Sequence, residues 1–452
     1  MIGASLDRLL SLVEGRALTP RRVALACRAL DALVASGRAG PVLRALQRTR
    51  LADTLRYAAT HAPFYRERLP PRLPERLDGG TAEAALSRLP FTDGTMVRDW
   101  RQFLCVPERR LSAVHTTSGT AGPPKVVAFT WRELQRLVTI WAIGLRIDHR
   151  GPMRVLVALP STHGLWIGTT SATRAIERAG GLPIPVGTPH PRETLDWMRR
   201  FEPNMIVSSP SYVSALTRQA EREGYRLALD RITLGGEPLD DERRERISRY
   251  WSAPVSDSYG ATEIGGPQTI SLPGCAGLHL NELQLVTEIV EPDGERAAEE
   301  GDLVFTTLKR EAMPLVRYRV GDRARWVSCD CGLPLRCIEL LGRTDDTITV
   351  GGAHLDAEAI THHIAALEGA SGRLEFVIDR DEQRDHLTLR VEGEGLDEAA
   401  VREALFGAYP RLREITGGEL LRLDVDVGPD VDLRRQIKAL SIVDRRERRA
   451  GG

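Results

Sequence analysis

The chain has 452 residues with 62 basic and 62 acidic side chains, so its formal net charge is zero and no overall field draws it to nucleic acid or an anionic membrane. That length exceeds what a single core organises, and two or three domains are expected. No apolar run approaches the roughly 18 residues of a membrane span, and Met1 to Leu10 carries Asp7 and Arg8 instead of a signal pattern, which points to a cytoplasmic protein without membrane partners.

Residues 1 to 60 read as helical scaffold, with Leu9, Leu10, Leu12 and Val13, then Leu43, Leu46, Leu51 and Leu55, near helical spacing. In the Pro-broken segments that follow, His61-Ala62-Pro63-Phe64-Tyr65-Arg66 and Leu89-Pro90-Phe91-Thr92, His61 and Tyr65 are expected to pack and not to catalyse. The run Thr116-Thr117-Ser118-Gly119-Thr120-Ala121-Gly122-Pro123-Pro124-Lys125 then gathers hydroxyls, glycines and one lysine. Such a loop suits phosphate, because glycine lets backbone N–H groups approach an anion and hydroxyls add donors. It is not a Walker A loop: Lys125 leads into the β-forming Val126-Val127-Ala128-Phe129-Thr130, so the loop is expected between strands. Lysine is also scarce, Lys125, Lys309 and Lys438 standing against 59 arginines. A compact ammonium and a planar guanidinium are not interchangeable where one oxygen must be reached, so a retained lysine is a candidate for chemistry. Lys309, in an ordinary Thr-Leu-Lys-Arg stretch, is read as incidental.

The loop resembles the phosphate loop of the adenylate-forming superfamily (acyl-CoA synthetases, firefly luciferase, nonribosomal adenylation domains), with Ala121 in place of one threonine. The two Pro-broken segments are similar to the N-terminal region of phenylacetate-CoA ligases, which narrows the resemblance to that branch.

After the loop, Trp131 to Ile147 reads as a helix and Arg154 to Leu159 as a buried strand. Ser161 to Gly168 is a loop entering a helix. Strands follow at Leu182 to Val186, Met205 to Ser209, Arg231 to Gly235 and Val255 to Tyr259. Strands alternating with helices predict an α/β fold, with a mainly parallel sheet covered on both faces and ligands at the strand ends.

Gly235-Gly236-Glu237-Pro238 and Ser258-Tyr259-Gly260-Ala261-Thr262-Glu263 stand at two such ends, and Tyr318-Arg319-Val320-Gly321-Asp322 and Gly342-Arg343-Thr344-Asp345-Asp346 come later. All four resemble superfamily motifs. The resemblance implies nucleotide contacts from Thr117, Ser118, Gly119, Thr120, Gly122, Lys125, Gly236, Glu237, Pro238, Ser258, Tyr259, Gly260, Asp322 and Arg343. It implies catalytic roles for Thr262, at the α-phosphate, and Glu263, holding Mg²⁺. The chemistry agrees: an aromatic face stacks on a purine, a hydroxyl donates to phosphate, and a hard carboxylate suits Mg²⁺. Asp322 would accept from the ribose hydroxyls. Asp345 would be the hinge between a large N-terminal domain, 1 to 344, and a small mobile one, 345 to 452. The acid pocket is expected to draw on His163, Trp166, Tyr212, Gly235 and Ala261.

Six irregularly spaced cysteines make no disulfide framework. Cys275-x3-His279 and Cys329-x-Cys331 instead supply three thiolates and one imidazole, a set suited to structural zinc; some phenylacetate-CoA ligase relatives carry a comparable site. Cys337 is not assigned.

The tail reads as α+β, with strands at Leu374 to Ile378 and Leu387 to Val391 and a helix at Asp397 to Phe406. Leu433 to Arg446 resembles the superfamily's terminal motif and places Lys438 on the catalytic lysine, with Ile437 and Ser441 replacing Gly and Arg. Gly352 to Thr361 lacks the Asn, Pro and Glu of the stretch that lines the family's pantetheine tunnel. That departure leaves open whether the tunnel here serves CoA.

These features imply an AMP-forming ligase that uses ATP and Mg²⁺ to activate a carboxylic acid, most readily an aromatic one, with CoA as the acceptor by analogy. An amide-forming ligase with an amine acceptor and a nitrite-activating diazotase acting on an aryl amine are the enzymatic alternatives. A nucleotide-binding regulatory module is the non-enzymatic one. Self-association as a homodimer is left open, and nothing points to nucleic acid.

Overall fold

The computed structural model describes residues 19–70, 82–116, 125–147, 149–160, 167–292, 294, 296–344, 347–381, 384–393, 395–428 and 440–446. Helices at Pro20–Ala35 and Ala39–His61 open this part of the chain. His61 is exposed, whereas Tyr65 is buried and its hydroxyl accepts from the Val316 backbone at 2.8 Å, so Tyr65 packs as expected. Strands β1 (Leu111–Thr116) and β2 (Val126–Thr130) pair antiparallel and bracket the phosphate-type loop, whose residues 117 to 124 lie outside the described part. The helix Trp131–Ile147 begins where predicted because Thr130 and Glu133 form a capping box. The Glu133 carboxylate accepts from the Thr130 backbone at 2.5 Å, and the Thr130 hydroxyl accepts from the Glu133 backbone at 3.3 Å.

Every predicted strand of the parallel sheet is present: β3 (Arg154–Ala158), β4 (Leu182–Pro185), β5 (Met205–Ser208), β6 (Arg231–Gly235) and β7 (Val255–Ser258), in the order β4-β3-β5-β6-β7. Val155, Leu156, Val157 and Ala158 have no exposed surface, the continuous apolar run of a strand covered on both faces. Helices Gly168–Arg178, Pro191–Phe201, Pro210–Arg222 and Asp241–Trp251 supply the crossovers. Two start on proline at the first turn, where its missing N–H has no partner to lose, and the last is capped by Asp240, which accepts from Arg243 N at 2.9 Å.

Two short strands, β8 (Gly260–Ala261) and β9 (Gly266–Pro267), lead into an antiparallel sheet. It contains β10 (Thr269–Ile270), β11 (Leu278–Leu280), β12 (Leu285–Val290), β13 (Glu300–Thr307), β14 (Tyr318–Val327) and β15 (Cys337–Arg343), ordered β10-β11-β15-β14-β13-β12. Its buried face shares a core with the helix Ala39–His61 through Leu51, Leu55, Leu285 and Phe305. Thr92 pairs with the backbone of Arg317 and Arg319, and Phe91 lies under both guanidinium groups, so the second Pro-broken segment is tied to β14.

From residue 347 the architecture changes. A hairpin, β16 (Thr347–Val350) and β17 (Ala353–Asp356), precedes a four-stranded sheet of β18 (Ala370–Asp381), β19 (Arg384–Gly393), β20 (Leu421–Gly428) and β21 (Leu440–Asp444), ordered β20-β19-β18-β21. Helices Ala357–Ala365, Glu398–Ala408 and Pro410–Gly417 accompany it, which makes the tail α+β as expected. Among the described residues no helix is long and apolar enough to cross a membrane.

Candidate active site

A cavity of about 2330 Å³ opens at the carboxyl ends of β6 and β7 and extends to the hairpin of the tail. Drug-sized ligands fill roughly 300–1,000 Å³, so this space suits more than one reactant. Lys125, Gly235, Gly236, Glu237, Pro238, Ser258, Tyr259, Gly260, Ala261, Thr262, Glu263, Asp322 and Arg343 all line it. Residues spread over more than 200 positions therefore converge, because β2, the parallel strand ends and β14–β15 of the antiparallel sheet meet there.

At its floor, Lys125 Nζ lies 2.6 Å from Glu263 Oε1, and the Tyr318 hydroxyl donates to the same oxygen at 2.8 Å. Burial by itself would push the Glu263 carboxyl up, but the Lys125 ammonium, with hydrogen bonds from Lys125 and Tyr318, holds it below the usual carboxylate range. Glu263 is thus an anion at neutral pH in a nearly dry site. Arg310 fixes the arrangement from behind: it donates to Glu133 at 2.9 Å, to the Glu263 carbonyl at 3.3 Å and to the Ala128 carbonyl at 3.2 Å, pinning β2 to the turn that carries Glu263. Tyr318 and Arg310 were not singled out from sequence for these tasks, since no spacing rule ties either to Glu263.

Above it, the Tyr259 hydroxyl donates to Asp322 Oδ2 at 2.6 Å, and Arg343 donates to Asp322 Oδ1 at 3.1 Å. Burial, then the neighbouring Asp322 carboxylate, push the Tyr259 phenol well up, so it stays a neutral donor. The Tyr259 ring stacks towards Phe305, with centroids 6.3 Å apart. Gly260 is required where it stands: a Cβ would sit 2.1 Å from the Gly266 carbonyl oxygen, across the β8–β9 pair.

Glu237 turns away from the Lys125 cluster. It accepts from the Ser211 hydroxyl at 2.7 Å and the Ser211 backbone at 3.2 Å, at the start of helix Pro210–Arg222. Burial raises its pKa. The tip of the β16–β17 hairpin leans on it: Gly352 has φ +82°, and a Cβ there would lie 2.7 Å from Glu237 Oε1. The altered stretch after Gly352 still forms β17, with Ala353, His354 and Leu355 facing the cavity.

Tyr212 does not belong to this site. It is 1% exposed, packs in the core behind the parallel sheet, and its hydroxyl donates to the Pro189 carbonyl at 2.8 Å and pairs with Thr194. The reason is enclosure: every residue from Pro210 to Thr217 is buried, so the start of this helix is surrounded by the fold, which a strand-loop-helix reading does not fix. Thr117, Ser118, Gly119, Thr120, Gly122, His163, Trp166, Asp345 and Lys438 lie outside the described residues.

The cysteine set does converge. Ligand atoms of Cys275, His279, Cys329 and Cys331 lie within 4.8 Å of one another, because β11 pairs with β15 and the β14–β15 connection returns over it. His279 Nε2 is 3.1 Å from Cys331 Sγ, while Nδ1 lies 2.9 Å from the Leu335 carbonyl. A donor Nδ1–H leaves Nε2 as the free lone pair, the orientation a metal-bound histidine takes. The donor set and its backbone support fit a tetrahedral ion.

Comparison with known proteins gives a consistent result. Residues 19–305 match the family model described as AMP-binding enzyme. The chain is 31% identical over 363 residues to the phenylacetate-coenzyme A ligase of Thermus thermophilus, covering 77% of this chain and 81% of that one. It is 30% identical to that of Escherichia coli K12, covering 77% and 82%. Among solved structures, 2-hydroxyisobutyryl-CoA ligase in its thioesterification state superposes with a TM-score of 0.75 at 24% identity, covering 89% of each chain. An open conformation of that ligase gives 0.61 at 23% identity, covering 91% of this chain and 92% of that one. With the sequence matches, the fold and the converging strand-end loops in agreement, the chain belongs to the AMP-binding enzyme family, in its phenylacetate-CoA ligase-like branch of AMP-forming ligases.

Proposed function

We propose that the chain uses ATP to activate an aromatic carboxylic acid as acyl-AMP and then passes the acyl group to CoA. The observation that carries this reading is the buried, ionised Glu263 paired with Lys125 below the Tyr259–Asp322 pair, in a cavity large enough for several reactants. The relatives at 30–31% identity are named for phenylacetate as acid and CoA as acceptor. They favour this reading over amide formation, nitrite activation and a non-enzymatic module.

In this reading the acid's carboxylate oxygen attacks the α-phosphorus of ATP and pyrophosphate leaves; the CoA thiol then attacks the acyl carbon and AMP leaves. Tyr259 flanks the adenine and Asp322 accepts from the ribose, a carboxylate having room beyond the donors from Tyr259 and Arg343. Gly236, Glu237, Pro238, Ser258 and Gly260 wall the nucleotide, and Thr262 donates to the α-phosphate. Gly235 and Ala261 border the acid, and His163 and Trp166, in the stretch ahead of helix Gly168–Arg178, are assigned to the same pocket. Glu263 would hold Mg²⁺, which neutralises charge on the phosphates when bound. The loop residues Thr117, Ser118, Gly119, Thr120 and Gly122 cradle phosphate with Lys125. A small domain from residue 345, turning about Asp345, carries Lys438 to the reacting phosphorus. The test is acid-dependent ATP–pyrophosphate exchange over a panel of aryl acids, followed by CoA consumption. Exchange with at least one acid and loss of free thiol is the expected result; no exchange with any acid, phenylacetate included, rules the reading out.

Cys275, His279, Cys329 and Cys331 would hold a structural zinc ion, closed to substrate. Elemental analysis should find about one zinc per chain. Cys329→Ser should lower that content and the melting temperature by about 5 °C or more, since metal binding is folding free energy. Metal-free protein with Cys329 and Cys331 freely alkylated would refute the assignment.

A further inference from the structure

Away from the reacting groups, a buried charged cluster joins the two parts of the molecule; apart from Arg446, the last residue of the terminal motif, its members belong to none of the motifs above. Asp385, at the start of β19, is 3% exposed. Its Oδ1 accepts from Arg243 at 3.3 Å and from Arg380 Nε at 2.9 Å; its Oδ2 accepts from the Gly351 backbone at 3.0 Å and from Arg446 at 3.4 Å. Arg243 is 2% exposed and sits in the first turn of helix Asp241–Trp251. Arg380 also pairs with Asp240, the residue that caps this helix. The helix directly follows the Gly235–Pro238 loop, and Gly351 is the hairpin residue next to Gly352, which leans on Glu237.

We propose that Asp385, clasped between Arg243 of the large part and Arg380 and Arg446 of the small one, is an interdomain latch that holds the hairpin tip against the Glu237 loop. It is thereby a positioning residue for acyl transfer and not for adenylation. The inference rests on the two-step reading above, in which a turn of the small domain carries Lys438 to the reacting phosphorus. Two observations give it direction. Asp385 and Arg243 are both nearly inaccessible, so parting them leaves each charge to find new partners, which makes the pose discrete and not one of a continuum. The whole chain also superposes better on the thioesterification-state ligase than on its open form, 0.75 against 0.61. The docked pose is therefore assigned to the second step. Elsewhere along the seam Arg222 and Glu419 form an exposed, screened pair, whereas buried apolar residues of both parts, Leu216 and Leu421 among them, belong to one hydrophobic core.

The test separates the latch from the activity. In Asp385→Asn, hydrogen exchange should quicken about tenfold in peptides covering 347–356 and 238–246, a shift of population towards undocked forms. Strands β3 to β7 and β18 to β20 should keep their protection. Arg243→Lys, which keeps the charge but not the fork, should give a smaller effect at the same peptides. With any acid that supports exchange, the ratio of acyl transfer to ATP–pyrophosphate exchange should fall about tenfold in Asp385→Asn, exchange itself being unchanged or faster. Unchanged protection at both peptides overturns the latch, as does loss of protection throughout the small domain's sheet or an equal loss of both half-reactions. If no acid supports exchange, the proposed function fails while the hydrogen-exchange result still decides the latch.

Discussion

Glu263→Gln is expected to lower acid-dependent ATP–pyrophosphate exchange by about a hundredfold or more, the scale on which one preorganised charge contributes to catalysis. The carboxylate is 4% exposed and bonded to Lys125 and Tyr318, so its ionisation is built into the fold. Glutamine keeps the shape and can still accept from Tyr318. It removes the charge that would hold Mg²⁺, and it leaves the Lys125 ammonium, whose side chain is 12% exposed, without its anion. Parting a buried pair costs about 3–5 kcal/mol, an upper bound here because the glutamine oxygen still accepts a hydrogen bond. Two readouts therefore move together: exchange collapses, and raising Mg²⁺ recovers part of it. Because the Glu263 pKa is held low, exchange in the native chain should show no loss from this group as pH falls from 8 to 5. In the native chain the carboxylate's contribution is present above its unfolded pKa and disappears only as pH falls through the lower folded one. Full exchange activity in Glu263→Gln would remove the metal-holding role.

Lys438→Ala should have a comparable effect on one half-reaction only. An ammonium delivered to the acid carboxylate and α-phosphate offsets the negative charge that gathers as the acyl oxygen attacks phosphorus, and such a cation is worth about a hundredfold to a thousandfold. ATP should still bind, and transfer from preformed acyl-AMP to CoA should persist, because the second step does not need that charge. In sequence Lys438 precedes by two residues β21, which runs parallel to β18 at the edge of the small sheet, so under the proposed function the lysine would travel with that sheet. Asp385→Asn is expected to do the reverse, sparing adenylation and slowing transfer. The two substitutions thus probe opposite ends of the proposed motion, and equal impairment of both steps by Lys438→Ala would refute the lysine's assignment.

Much of this molecule was legible before any coordinates. The order of strands and helices from Trp131 to Tyr259 follows from local signals: apolar runs of strand length and polar, glycine-bearing loops between them. Each acts within a few residues, so sequence carries it. The four motif loops and the cysteine–histidine set were legible for a related reason, since a chemical task restricts which residues a position accepts.

Only the tertiary structure decided how those pieces meet. Tyr318 touches Glu263 across 55 positions and Arg310 holds the Glu263 turn to β2, pairings fixed by sheet order and strand register, which no spacing in the chain encodes. Tyr212 went to the core and not to the pocket because the start of its helix, Pro210 to Thr217, is enclosed on all sides by elements that neighbouring residues do not specify. The Asp385 cluster is the extreme case: Arg243, Gly351, Arg380 and Asp385 are unremarkable singly in an arginine-rich chain, and Arg446 ends the terminal motif with nothing beside it to name this partner. They acquire a role only where one carboxylate, shut off from water, must find all its partners among groups brought in from both parts of the fold.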